Sequence, residues 1–401
     1  MTGRFQRRRG EGEDQRATTL ELFYDLVFVF AITQISHLLL AHLTWQGAGE
    51  AALVLLVVWW AWNYTTWVTN ELDPESVVVR GLLIGIMLAS LFMAVAIPDA
   101  FGGRALLFAV SYVAIQVGRH LFLTLIAPPG SIERERAAHI LIWFAASGIF
   151  WIAGGLAGFH ARVGLWLVAL AIDYSAPLFL YWVPARSHLS GATWDVETSH
   201  FAERFSLFMI IALGESIVVT GATTSQLDLD AATVTAFAIA FLGTAAMWWL
   251  YFTYVAAIAE RRLARAENRT SLARDGYTYL HVVMVAGIVL AAVGDELVIA
   301  HPTETLAGPE VAAVVGGAAI YLLGHTLFRL RMARSLSWKR LGGALACVAL
   351  GFLGPVAPAI VLAALVLGVL VAVIALEYAA AYRRRRRGEP TPMQRLDATS
   401  A

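Results

Sequence analysis

The chain has 401 residues, of which 59% are hydrophobic and only 14% charged, and its formal net charge is zero. Soluble domains carry about 25% charged residues, so a soluble globular protein is excluded, and no basic surplus marks a nucleic-acid partner. The single cysteine, Cys347, leaves no disulfide framework or thiol metal site, and the single lysine, Lys339, lies in a polar loop, which argues against a retinal-type Schiff base inside a helix bundle.

Residues 1–19 are polar and arginine-rich, with Arg4, Arg7, Arg8, Arg9 and Arg16. They read as a basic cytoplasmic tail and not as a signal peptide, because the apolar stretch that follows is too long, holds two acids and lacks a small-residue cleavage site. A membrane span needs about 20 mostly apolar residues. By that measure the sequence predicts twelve spans, at 20–43, 49–70, 77–98, 104–127, 138–158, 163–184, 200–222, 231–257, 277–300, 309–330, 340–354 and 357–382. The eleventh is short and glycine-rich. Residues 383–401 form a second basic tail.

With the N-terminus in the cytoplasm and twelve alternating spans, 25 of the 29 arginine and lysine residues fall on the cytoplasmic side. That asymmetry follows the positive-inside rule and predicts that both termini are cytoplasmic.

The two halves echo one another. Trp59–Trp67 in the second span resembles Trp248–Tyr254 in the eighth. Asp99 in AIPDA matches Asp295 in AVGDE, Tyr112 to Phe122 matches Tyr321 to Phe328, and Asp173-Tyr174 matches Glu377-Tyr378. The expected fold is therefore all-α, two parallel six-helix repeats at 20–184 and 200–382, joined by a cytoplasmic linker at 185–199. Parallel repeats place a substrate site at their interface.

Ionisable residues inside spans are costly and usually functional. The expected polar pathway runs through Glu21, Asp25 and Gln34 of the first span, Arg119 and His120 of the fourth, and Glu203, Arg204, Glu215 and Ser216 of the seventh. It continues through His281, Asp295 and Glu296 of the ninth span and His325 of the tenth. Glu21 and Asp25 share a helix face; Arg119 is expected to pair with one of them, and Glu21 also to cap the first turn. Glu215, deep in an apolar helix, is expected to hold a proton or a cation. The histidines show no metal-ligand spacing, no enzyme motif is present, and no cofactor is expected.

The stretch Glu21-Leu22-Phe23-Tyr24-Asp25 through Gln34, together with His200-x-x-Glu203-Arg204-Phe205 and Leu213–Ser216, resembles the signatures of the bacterial low temperature requirement protein A family. That resemblance implies a multi-pass bacterial membrane protein linked by name to growth in the cold. Phe23-Tyr24-Asp25 is also similar to the Phe-Ser-Asp motif of a potassium channel family with six helices per repeat, departing from it at Tyr24 and at Leu207. The expected function is transport of a proton or small cation across the bacterial inner membrane, by a chain whose expected partners are the bilayer and a second copy of itself. The alternative is a non-transporting membrane protein, either an intramembrane lipid-acting enzyme or a structural stress factor.

Overall fold

A computed structural model describes residues 16–191, 194, 196–253, 255–390 and 394. Residues 1–15 and nearly all of the tail beyond 390, with 192, 193 and 195 of the expected linker, lie outside the described residues. The fold is all-helical, with no β-strand among the described residues. In chain order the helices are α1 (Thr19–Ala41), α2 (Trp45–Glu71), α3 (Val77–Ala96), α4 (Ala105–Ile126), α5 (Ile132–Leu156), α6 (Phe159–Ser175) and α7 (Thr198–Thr224). They continue as α8 (Ala231–Phe252), α9 (Val255–Ala264), the short α10 (Arg269–Leu272), α11 (His281–Ala300), α12 (Pro309–Ala333), α13 (Trp338–Leu350) and α14 (Ala359–Arg386). A π-helical turn, Ala273–Leu280, feeds directly into α11.

Ten helical runs among the described residues are long and apolar enough to cross a membrane. Two of the twelve expected spans fall short. The sixth is the 17-residue α6, which ends at Ser175, well before residue 184. Pro177 follows, the chain turns, and Leu180 and Tyr181 take left-handed φ of 51° and 55°. The eleventh is the 13-residue α13, about 20 Å long.

Helix starts follow local chemistry. Ser131 caps α5 by accepting from Arg134 N at 3.2 Å, with Glu133 and Glu135 in the first turn, where the helix dipole favours acids. Asp230 caps α8 through Thr233 N at 2.7 Å. Thr18 and Glu21 form a reciprocal capping box at α1: Thr18 N donates to Glu21 Oε2 at 2.8 Å, and Glu21 N reaches Thr18 Oγ1 at 3.4 Å.

The polarity of α1 is inside out. Glu21 and Asp25 are 0% exposed, whereas Phe23 is 58% exposed and Leu26 57%. Water would reverse that arrangement; a hydrocarbon solvent requires it. The chain is a multi-pass membrane protein.

The chain divides into two compact units: residues up to Leu39 with Gln46–Arg204, and Leu40–Trp45 with Phe205 onward. In the first unit α4 packs on α3 and α5, and α5 on α6. In the second, α12 packs between α11 and α13, while α14 lies against α8 and α13.

The contact of α11 with α12 depends on small residues. A Cβ on Gly317 would lie 2.4 Å from Ala291 N, and one on Gly287 would lie 2.5 Å from Tyr321 N. Gly294 and Gly324 repeat the same close approach one heptad further along each helix. In lipid, where burial gives helices no hydrophobic incentive to associate, such backbone proximity supplies the van der Waals contact. We expect Gly317→Val to force the helices apart and cost about 1–3 kcal/mol. Thermal unfolding of purified protein should show it, whereas Gly368→Ala, which meets nothing within 4 Å, should leave the midpoint in place.

Candidate functional site

The densest buried polar cluster lies in the first unit, where α1 meets the first two turns of α7. Glu21 and Asp25, one turn apart on α1, face His200 and Arg204, one turn apart on α7. His200 Nε2 is 2.9 Å from Glu21 Oε1. Arg204 Nη2 donates to Asp25 Oδ1 at 2.5 Å, and Arg204 Nη1 is 3.1 Å from Glu21 Oε1. All four side chains are fully buried. The two contacts share an offset of 179 residues, so these turns run parallel in a common register.

Helix α2 completes the cluster. Trp62 Nε1 donates to Asp25 Oδ1 at 2.8 Å. Asn70 accepts from Glu197 N through Oδ1 at 2.9 Å and donates to Glu197 O through Nδ2 at 2.9 Å. Those two bonds orient its amide, so the remaining N–H points at His200 Nδ1, 3.1 Å away. Nδ1 must therefore accept, which puts the proton of a neutral imidazole on Nε2, where it donates to Glu21. A doubly protonated ring would set N–H against N–H.

The charge balance follows. Among the described contacts, two carboxylates meet one guanidinium and a neutral imidazole. Glu21 is well supplied with donors: His200, Thr18 N, and Thr18 Oγ1 at 2.9 Å. Asp25 Oδ2 has no hydrogen-bond partner among the described residues.

The expected pairing of Arg119 with Glu21 or Asp25 is corrected here: Arg204 takes that role. Arg119 is buried among neutral acceptors. Its Nη1 donates to Thr65 Oγ1 at 2.8 Å and to Ala61 O at 3.4 Å, and its Nη2 donates to Gln116 Oε1. The Tyr64 ring lies beneath it, with the centroid 5.5 Å away. From Gln116 the bonds continue: Nε2 donates to Tyr112 OH at 3.1 Å, and Tyr112 OH donates to Asp173 Oδ2 at 2.8 Å. Trp151 Nε1 also donates to that oxygen, at 3.0 Å. Helices α2, α4, α5 and α6 are thus joined by one polar chain that ends on a carboxylate.

The other expected residues are scattered. Glu203, half-buried, accepts from Ala17 N at 2.8 Å. His120 donates from Nδ1 to the Gln116 carbonyl at 2.9 Å, and Gln34 is half-buried on α1. Glu215 and Ser216 are buried on later turns of α7 in the second unit, and Asp295 and Glu296 are half-buried on α11. His281 donates from Nδ1 to the Gly276 carbonyl at 3.2 Å, which leaves Nε2 to accept from Tyr251 OH at 3.0 Å. His325 Nδ1 accepts from Arg340 at 2.8 Å, and Arg340 grips Glu377 at 2.8 and 3.0 Å. Among the described residues no group of three or more His, Cys, Asp or Glu side chains is placed to hold a metal ion.

Several residues of these clusters were not among the expected ones: His200, Trp62, Asn70, Gln116, Arg340 and Glu377. For His200 a signal existed. His200 and Arg204 have the same four-residue spacing as Glu21 and Asp25, which predicts two facing pairs on adjacent helices.

Removing Arg204 takes the guanidinium away from two buried carboxylates, so Arg204→Gln should cost about 3–5 kcal/mol. In double-mutant cycles Asp25→Asn should couple strongly to Arg204→Gln and add independently to Arg119→Gln. Unfolding midpoints of the single and double variants would check both expectations.

Compared with known proteins, residues 16–375 match the family model described as bacterial low temperature requirement A protein. The chain is also 37% identical over 381 residues to an uncharacterized protein of Rhizobium meliloti (strain 1021), an alignment spanning 94% of this chain and 93% of the relative. No solved structure matches the chain. With nearly its whole length matched, the chain belongs to the bacterial low temperature requirement A family.

Proposed function

We propose that the protein is a permease for a proton or small cation, and that the cluster of Glu21, Asp25, His200 and Arg204 is its proton- or cation-responsive gate. The observation that carries this reading is that in a fully buried cluster one carboxylate oxygen, Asp25 Oδ2, lacks a hydrogen-bond partner among the described residues. A proton or cation arriving there weakens the hold of Asp25 on Arg204, because that bond is strong only while Asp25 is charged. Arg204 and His200 still hold Glu21, so the contact of α1 with α7 loosens at the turn of Asp25 alone.

The reading also takes the two halves as parallel six-helix repeats, with α6 and α13 as short members, and places both termini in the cytoplasm on the strength of the arginine distribution. Within the second unit the reading assigns proton or cation exchange to Glu215, which is buried there, and to Asp295 and Glu296.

One observation favours the non-transporting alternative. The acids at the start of α1 are sealed and paired, as a purely architectural cluster would be.

Flux separates the two. In proteoliposomes with a proton, sodium or potassium gradient, wild-type protein should dissipate at least one gradient faster as pH falls. Asp25→Asn keeps the shape and the acceptor for Trp62 and Arg204 but removes the charge, so its flux should lose its pH dependence. Glu215→Gln should abolish flux while still folding. A wild-type protein that moves none of the three ions would leave the cluster as architecture.

A further inference from the structure

The second unit holds a cavity of about 410 Å3 that the permease reading does not use. It opens among α9, the turn between α12 and α13, and the last turns of α14. Six cationic side chains line it: Arg262, Arg329, Lys339, Arg340, Arg384 and Arg385. Only two carboxylates share the wall, and one of them, Glu377, is already held in a bidentate grip by Arg340.

Four of the five remaining cations are hydrogen-bonded, among the described residues, to uncharged oxygens. Among the described residues Arg262 donates to Met332 O at 3.2 Å, Arg329 to Ser335 Oγ at 3.1 Å, Lys339 to Leu376 O at 2.8 Å and Arg384 to Ala380 O at 3.4 Å. All four partners are uncharged oxygens. Arg262 Nε is buried with no partner among the described residues. Partial burial, and crowding by Arg384, Arg383 and Arg329 against the opposing pull of Glu377, push the Lys339 ammonium below its usual range. Like charges converging on one concave, partly desolvated space raise the local potential and draw in an anion.

The shape narrows the chemistry. A volume in the range of small-ligand sites, about 300–1,000 Å3, is larger than a bare phosphate requires. Arginine forks match phosphate oxygens in pairs. Phe328, Leu336 and Trp338 supply an apolar flank, and Trp338 is 73% exposed, as an interfacial anchor would be.

We propose that this cavity seats a phosphate-bearing anion, specifically the headgroup of an acidic glycerophospholipid. Arg262, Arg384 and Arg385 hold the phosphate, and the acyl chains leave past Trp338.

The test uses purified full-length protein in neutral detergent, with three probes: dihexanoyl phosphatidylglycerol, dihexanoyl phosphatidylcholine and glycerol phosphate. Tryptophan fluorescence and the unfolding midpoint are read together. Phosphatidylglycerol should saturate and raise the midpoint by several degrees, and phosphatidylcholine should do neither. In Arg262→Gln/Arg384→Gln the affinity should fall at least about tenfold, with Arg262→Lys/Arg384→Lys restoring part of it. Arg385→Gln, at an exposed position, provides a variant whose folding is not in question and should bind more weakly than wild type. If glycerol phosphate binds as tightly as phosphatidylglycerol, the phosphate seat stands and its ligand is a soluble ester. Equal binding of phosphatidylcholine, or wild-type affinity in both glutamine variants, overturns the proposal.

Discussion

A carboxylate taken out of water must be met by charge or by hydrogen-bond donors, and two of them on one turn of α1 set the terms for much of the first unit. Little of their compensation comes from the start of α1, where Thr18, just before the helix, donates to Glu21. It is assembled from three further places: the indole of Trp62, the imidazole of His200 and the guanidinium of Arg204. Each donor then needs its own orientation. Asn70 fixes the tautomer of His200, and the backbone of Glu197 fixes Asn70. Three layers of constraint converge on one pair of acids. The exposed face of α1 is left to phenylalanine and leucine.

Arginine is the hub of two further buried polar networks, with different elements around it. In the first unit Arg119 of α4 feeds a row of donors, each pointing toward Asp173. In the second, Arg340 at the start of α13 ties Glu377 of α14 to His325 of α12 and to the Leu250 carbonyl at 3.1 Å. A guanidinium has five donors in a rigid plane and stays charged, so it can join three helices at once where an ammonium would serve as a point contact. This accounts for a chain with one lysine and 28 arginines among its 29 basic residues, at least for the arginines that are buried.

Much of the helical framework was legible because hydropathy records whether a segment suits lipid. Hydropathy does not record where a helix stops. The apolar run through Trp182 hid the end of α6, although Pro177 marked it. The buried charges were legible by type and by depth, since both follow from sequence position and helix rise. Their partners were not, because pairing depends on how each helix is rotated about its axis. Arg119 shares the half of the membrane expected for Asp25 yet turns toward Thr65 and Gln116, while Arg204, assigned only to the pathway, takes the pair. The capping role of Glu21 could be read from Thr18-x-x-Glu21, which is local. The cationic cavity could not, because it draws on residues from 262 to 385 that only the fold brings together.

The π-helical turn before α11 carries a genetic consequence. A π turn holds about one residue more than an α turn, and π turns arise mostly as short insertions at functional places. Removing a single residue from Ala273–Leu280 would restore α geometry and rotate everything before it by about 100° relative to α11. Gly276, whose carbonyl His281 now uses five residues back along the chain, would swing away, and with it the contact that leaves Nε2 free to accept from Tyr251. Within this segment a one-codon deletion is therefore a change of phase, more disruptive than most substitutions. Among relatives the segment should vary in residue identity far more readily than in length.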